Sequence, residues 1–412
     1  MKVTILTLGC KVNQAESADI EGNLIKHGIT IVGLSEKPDY CVINTCTVTA
    51  KSDYQSRQLV RRAVKAGARV IVTGCYSQIR PEEIRKIEGE VDIVANANKS
   101  QIINILSNNI KSKRLCFSLR SRPYVKVQDG CNNACTYCIV PKARGRSRSV
   151  NISEVVNQAI EFEKEGYHEI VLTGIHLGSY GFDFFPKKKL SDLIITLLKQ
   201  TTIQRIRLSS IEVNEIDNDI IDLLHEKRLC KHVHIPLQSG DDNILKNMNR
   251  KYTVKDYNDV IEKIKNKIPN IAIGTDVIAG FPGEGDKEYE NTKYFIDSLP
   301  LSYIHIFPFS SRPHTKASQM PIQIASAVKK ERVNDLKLLH IRKKKMYMDS
   351  QIHEILDVII EEKDNDNCSI GTSSNYLKIK VYDNCFPRKS QVYVSISGIE
   401  GDVLRGIPIS KL

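Results

Sequence analysis

The thiols of Cys131, Cys135 and Cys138 stand at C-x3-C-x2-C spacing in GCNNACTYCIVPKARGRSRS, residues 130–149. With no fourth Cys or His close by, they do not complete a structural zinc site, which takes four ligands, usually from two paired units. They suit a 4Fe-4S cluster, whose fourth iron they would leave without a protein ligand and open to a small molecule. Three more cysteines end short β-branched runs: Cys10 in LGC, Cys46 in NTC and Cys75 in TGC. In an open α/β sheet the carboxyl ends of neighbouring strands share the edge where ligands bind, so these thiols are expected to converge. Cys41, inside such a run, reads as an ordinary buried core residue.

Positioning these groups requires two series of β/α units. In the first 110 or so residues, KVTILTL, YCVIN and RVIVT alternate with helical segments such as AESADIEGNLIKHG and DYQSRQLVRRAVKAG, the rhythm of a parallel sheet with crossover helices. From about residue 120 to 315 six strand candidates follow, YVKVQ, EIVLT, RIRLS, HVHIP, IGTDVIA and YIHIF, with helical stretches between them. Six consecutive β/α units imply a parallel sheet curled into part of a barrel, working at the C-terminal ends of its strands. The first of these strands leads directly into the Cys131 motif. After a basic helical connector, EILDVIIEE, NYLKIKVY, QVYVSISG and DVLRGIPI read as a small all-β barrel. The expected class is therefore α/β, with an open N-terminal sheet over residues 1–112, a partial (β/α)6 barrel over 117–346 and a β-barrel over 347–412.

The net charge of +12 is clustered: nine Lys or Arg against one Asp from Lys113 to Ser149, and eight against two acidic residues from Ile322 to Met346. Such surfaces suit a polyanion, nucleic acid first among them. Lys142, Arg144, Arg146 and Arg148 read as a guide for RNA phosphates, and the RKKK of residues 342–345 either as a second guide or as cations at a helix C-terminus. The last segment, seven basic against ten acidic residues from Tyr347, would touch RNA only through a local face. Eleven cysteines, an odd number, and no apolar run approaching twenty residues disfavour export and membrane spanning. MKVTILTLGC reads as a first strand rather than a lipoprotein signal, so a reducing cytoplasm is expected.

Taken together, the open-site motif behind the first strand of a β/α series resembles the radical S-adenosylmethionine (SAM) enzymes, and the whole chain is similar to their methylthiotransferase family. TLGCKVNQAES, VINTCTVTAKSD and VTGCYSQ match that family's N-terminal domain, and the last segment resembles its RNA-binding TRAM domain. The resemblance implies that Cys131, Cys135 and Cys138 hold a 4Fe-4S cluster whose open iron chelates SAM, the source of a 5′-deoxyadenosyl radical. It implies that Cys10, Cys46 and Cys75 hold a second 4Fe-4S cluster that carries the sulfur inserted into a C–H bond, with another SAM as methyl donor. A reducing electron donor such as flavodoxin or ferredoxin is implied as well, and a sulfur donor that the sequence does not identify.

Around SAM the family places an aromatic residue at the position of Tyr137, for which an ordinary core aromatic is the other reading. Gly174 in TGIHLGSYG allows close backbone approach or serves as a plain turn glycine. Gln238 and Ser239 in HIPLQSGDD, and Gly280 and Gly283 in IAGFPGE, lie at strand ends where a nucleoside could rest. His176, His232 and His234 read as structural histidines. Members commonly carry S-P-R-P-G-T-x-A after the sixth strand; SSRPHTKA retains Arg312, counted with the cofactor residues, but departs at Ser311, His314 and Lys316.

LGCKVNQ and NTCTVT are most similar to the family branch that acts on tRNA bearing threonylcarbamoyladenosine, which implies 2-methylthio addition at C2 of that nucleoside next to the anticodon. The alternatives are isopentenyladenosine tRNA and a ribosomal-protein aspartate, and, outside enzymes, an iron–sulfur carrier or RNA-binding scaffold.

Overall fold

In the computed structural model, which describes residues 1–107, 118–364, 367–382 and 386–409, the N-terminal region is one parallel sheet. Its strands are β1 (Lys2–Thr7), β2 (Thr30–Ile31), β3 (Tyr40–Thr45), β4 (Arg69–Gly74) and β5 (Val91–Ile93), in the order β2-β1-β3-β4-β5. The three expected strands are its centre; β2 and β5 are short edges. β3 and β4 are buried along almost their whole length, the pattern of a sheet covered on both faces. Helices Lys11–Lys26 and Ala50–Lys65 each start directly after a cysteine turn. The second begins where it does because the Thr49 hydroxyl accepts from Ser52 N at 3.1 Å and Ser52 Oγ accepts from Thr49 N at 3.0 Å.

The next region contains β6 (Tyr124–Lys126), β7 (Gln128–Asp129), β8 (Arg148–Ser149), β9 (Glu169–Thr173), β10 (Arg205–Leu208), β11 (His232–His234), β12 (Ala272–Ala279) and β13 (Tyr303–Pro308). Two parallel sheets, β10-β9-β6 and β11-β12-β13, are joined by bridges between Ile206 and Leu229 and between Ser210 and His234. The six expected strands thus form one curved row, with a continuous apolar core between strands and outer helices. YVKVQ is split: β6 pairs with β9, while β7 turns away and pairs antiparallel with β8, clasping the cysteine loop between them. Helix Lys11–Lys26 packs along β6, on the side where six strands leave the barrel open.

Helix Ser326–Asp349 runs on past residue 346, and β14 (Ile355–Lys363), β15 (Ser369–Ser373), β16 (Lys378–Val381), β17 (Gln391–Glu400) and β18 (Val403–Pro408) close into a barrel, β14-β15-β16-β18-β17. Its β15 is the strand that pattern reading missed. The barrel docks on the two buried arginines of β10 and on Arg122, just before β6. Arg205 donates to Asp357 O and Thr372 O, both at 3.2 Å, Arg207 to Ser373 O and Ser374 O, both at 2.9 Å, and Arg122 pairs with Glu361 at 2.7 Å.

No helix among the described residues is long and apolar enough to cross a membrane.

Candidate active site

Cys131, Cys135 and Cys138 lie in the loop clasped by β7 and β8. Cys131 N donates to Gly145 O at 3.1 Å, Thr136 N to Met248 O at 3.1 Å and Ala317 N to Thr136 O at 2.8 Å, so three separate segments fix the loop. Donors point at the sulfurs: Asn133 N is 3.3 Å from Cys131 Sγ, His176 Nδ1 is 3.6 Å from the same atom, and Arg250 Nη1 is 3.3 Å from Cys135 Sγ. Burial pushes the Cys138 thiol up to about 12. Burial would lower His176, but hydrogen bonds to Cys131 and to Glu215, 2.6 Å away, outweigh it and raise the imidazole to about 10.

The second triad converges as expected. Gly9 (φ +103°) and Gly74 (φ +101°) precede Cys10 and Cys75 in the left-handed region; a Cβ on Gly9 would lie 2.9 Å from Cys46 Sγ, and one on Gly74 2.3 Å from Thr45 O. Asn13 Nδ2 donates to Leu8 O at 2.7 Å and to Thr45 O at 3.0 Å, binding the ends of β1 and β3 together. The Cys46 thiol is pushed up to about 11, chiefly by burial, with Cys75 and Cys10 adding to the rise. Cys75 is raised by burial and eased by Arg144.

Both donor sets fit a polynuclear iron–sulfur centre. The thiols of Cys46, Cys75, Cys135 and Cys138, all raised by burial, are held as thiolates at neutral pH by a bound cation. Among the described residues, the ligand atoms that gather within 4.8 Å of one another are those of His234, Asp276 and His305, so neither thiol triad has the close spacing of about 3.8 Å that a single tetrahedral zinc imposes. The His–Asp–His group is satisfied internally: His234 Nε2 is 2.9 Å and His305 Nδ1 3.2 Å from Asp276 Oδ1, and Tyr303 Oη lies 2.8 Å from His232 Nε2 and 2.9 Å from His234 Nδ1.

A cavity of about 220 Å³ runs between the two triads' loops. Tyr137, Cys138, Ile139, Gln238 and Asp276 line one side, Val48 and Thr49, just beyond Cys46, the other. Tyr137 is held edge-on by Phe281 at 6.4 Å, and Gln238 reaches its place through a left-handed backbone (φ +67°).

The remaining expected residues are elsewhere. Gly174 is required by Gln128, whose Oε1 would sit 2.9 Å from a Cβ there and accepts from His176 N at 2.8 Å. Ser239 is fully buried with its hydroxyl 3.2 Å from Thr292 Oγ1. Gly280 N donates to Glu284 Oε1 at 2.7 Å and Gly283 N to Ile322 O at 3.0 Å, shaping the loop that carries Phe281. Arg312 pairs with Asp53 at 2.6 Å and donates to Thr47 O at 3.2 Å, fastening the Cys46 loop to the barrel.

The phosphate-guide reading needs correction at Arg144. Its side chain is buried and donates to Glu16 Oε1 and Asp129 Oδ1, both at 2.9 Å, and to Asn13 Oδ1. Lys142, Arg146 and Arg148 are exposed. The first two line a groove of about 720 Å³ beside Cys131, together with His314 and Lys316. His314 takes φ +64°, so the departure from the family pattern keeps a glycine-like backbone. In 342–345, Arg342 pairs with Asp297, Lys343 donates to Asp297 O and Leu299 O, and Lys344 pairs with Asp402, so these three cations are partnered within the protein; the helix continues to Asp349, which leaves none of the four in its last turn. Lys113 and Arg114 lie outside the described residues.

Sequence reasoning missed Arg250, Gln128 and Glu215. No spacing rule marks them, because each acts across elements far apart in the chain.

Two family models match the chain: the Radical SAM superfamily over residues 125–296, and the Uncharacterized protein family UPF0004 over residues 2–96. The Threonylcarbamoyladenosine tRNA methylthiotransferase MtaB of Aquifex aeolicus is 37% identical over 404 residues, 92% of this chain and 96% of its own. Its Bacillus subtilis namesake is 39% identical over 406 residues, 92% and 89% of the two chains. The tRNA-2-methylthio-N(6)-dimethylallyladenosine synthase of Fusobacterium nucleatum is 33% identical over 402 residues, 91% and 92%. Among solved structures, the radical SAM methyltransferase TsrM of Kitasatospora setae superposes with a TM-score of 0.57 at 13% identity, over 77% of this chain and 76% of its own, a likeness of fold.

Proposed function

We propose, from the premise that the chain belongs to the methylthiotransferase family of radical SAM enzymes, that it adds a methylthio group at C2 of N6-threonylcarbamoyladenosine beside the anticodon of tRNA. The observation that carries the reading is the cavity bounded on one side by Tyr137 and Cys138 and on the other by the loop after Cys46. A single nucleoside there would lie between Cys138 of one triad and the loop that follows Cys46 of the other. The substrate branch is supported by the names of the Aquifex aeolicus and Bacillus subtilis relatives.

In this reading residues 1–112 carry a second cluster on Cys10, Cys46 and Cys75, residues 117–346 the SAM-dependent chemistry on Cys131, Cys135 and Cys138, and residues 347–412 an RNA-binding barrel. When bound, the clusters supply one-electron cleavage of SAM and an open iron at which sulfur is held. Arg250 and His176 hold the thiolates of Cys135 and Cys131 in place and offset their charge. Tyr137 and Gln238 contact SAM, while Phe307, Phe309 and Ile278 on the cavity wall exclude water. Gly174, Ser239, Gly280, Gly283 and Arg312 shape the surrounding loops. Reduction comes from a donor such as flavodoxin or ferredoxin, in the cytoplasm.

Two exposed surfaces favour a single-stranded RNA loop at the mouth. One is the groove with Lys142, Arg146 and Lys316. The other is the turn after β9, where Phe185 is 103% and Phe182 51% exposed beside the exposed Lys187 and Lys188; aromatic faces next to cations are what unstacked bases bind.

The test is anaerobic reconstitution, reduction and incubation with tRNA carrying threonylcarbamoyladenosine, followed by mass spectrometry of the nucleosides. The expected product is the 2-methylthio derivative. Methylthiolation confined to isopentenyladenosine, or to a ribosomal protein, overturns the substrate; absence of SAM cleavage overturns the reaction.

A further inference from the structure

Lys11 directly follows Cys10 and begins the helix that packs on the open side of the barrel. Its Nζ stands 5.8 Å from the centroid of the Tyr376 ring, whose other cationic neighbour is the Arg207 guanidinium at 5.3 Å. Its charged surroundings are Arg207, Arg122 and Asp276. Each of those three already has partners: Arg207 pairs with Glu169 at 2.7 Å, Arg122 with Glu361 at 2.7 Å, and Asp276 accepts from His234 and His305. Among the described residues, the Lys11 ammonium has no ion pair and no hydrogen bond. An ammonium in a half-enclosed space, beside two guanidiniums and without an anion of its own, is a binding position for one.

Resting on the substrate reading above, we propose that Lys11 is the specificity residue that receives the carboxylate of the threonylcarbamoyl group. Asp276, which lines the cavity between the cysteine loops, is also the acidic neighbour of Lys11, so the ammonium and the cavity share that side chain as a neighbour. C2 and the N6 substituent flank N1 on one edge of adenine. A base that turns C2 toward Cys10 therefore runs its N6 substituent along the same edge, past the adjacent residue. Tyr376 and Tyr303, whose rings stand 5.6 Å apart, offer flat surfaces beside that path. An isopentenyl group at the same place would leave the ammonium without an anion, which is how a polar pocket rejects an apolar analogue.

The experiment uses the full chain, reconstituted with iron and sulfide, and anticodon stem-loops bearing threonylcarbamoyladenosine, its neutral methyl ester, or plain adenosine. The wild-type chain is expected to bind the free carboxylate roughly 10- to 100-fold more tightly than the ester. Lys11→Met should lose that preference, with KM for the carboxylate substrate rising by a similar factor, and Lys11→Arg should recover it. If the wild-type chain binds acid and ester equally, the proposal is overturned without reference to any variant. If Lys11→Met weakens all three stem-loops alike, Lys11 meets a backbone phosphate and the proposal is again overturned. A wild-type chain that leaves threonylcarbamoyladenosine unmodified defeats the substrate reading itself, a separate outcome from modification without acid–ester discrimination.

Discussion

The guanidinium of Arg144, six residues beyond Cys138, donates at 2.9 Å to the carboxylate of Glu16, six residues beyond Cys10. This buried ion pair thereby ties together the segments that follow the two thiol triads. Lys99 and Lys126 also bind Glu16, and together with Arg144 they hold its carboxyl well below the usual range against the cost of burial. Arg144 brings its charge to Cys75 as well. Breaking a buried pair strands its partner, so Arg144→Met should cost about 3 kcal/mol. The loss will register as a lower urea midpoint and as methylthio product falling further than SAM cleavage.

The triads divide the labour. Replacing Cys131, Cys135 or Cys138 with Ala should abolish SAM cleavage, while replacing Cys10, Cys46 or Cys75 should spare some cleavage and eliminate the methylthio nucleoside. Iron content and 5′-deoxyadenosine release, measured on the same samples, check this. Equal loss of cleavage in both sets with iron retained would contradict it.

Arg250 supports the first triad through Cys135 and is anchored by Glu212. Removing an outer partner of a metal ligand commonly lowers affinity or activity about 10- to 100-fold. Arg250→Met should fall in that range for SAM cleavage, whereas Arg228→Met, whose guanidinium donates, among the described residues, to the carbonyls of Ile203 and Leu198 and the hydroxyl of Thr201, should leave cleavage close to wild type.

Acid should loosen the docking of the C-terminal barrel. Glu169 is fully buried, which by itself raises its carboxyl, but Arg205, Arg207 and Arg122 together hold it at about 2. A carboxyl with a depressed folded-state value contributes stability that is full above its unfolded value near 4.5 and disappears as pH falls through about 2. The difference corresponds to about 3 kcal/mol. Urea midpoints between pH 6 and pH 3 should fall for the wild type; Glu169→Gln should start lower and change less.

RNA binding should depend on the mouth and not on the helix Ser326–Asp349. Phe185→Ala is expected to weaken stem-loop binding by about 1–3 kcal/mol with little change in salt dependence. Lys142→Ala and Arg146→Ala should each reduce the log–log salt slope by roughly 0.7. Arg342→Ala, which removes a cation already paired with Asp297, should leave the slope unchanged.

Much of this architecture could be read without coordinates because it rests on local rules. Strand and helix periodicity located the three central strands of the first sheet and the six of the barrel, and cysteines at strand ends had to share an edge because parallel strands align their carboxyl termini. Short edges such as β2 and β5, and the turn of the chain at β7, escaped because they depend on their neighbours more than on their own pattern. The roles of charged residues were the least legible. Arg144 and Arg146 stand two apart in one basic run, yet one is buried against Glu16 and the other is exposed on a groove. Arg312 belonged to a family motif and still spends its guanidinium on Asp53. Composition assigns a charge to each of these side chains; its partner is set by which distant elements pack beside it, and the energy of a charge depends on that partner and its burial.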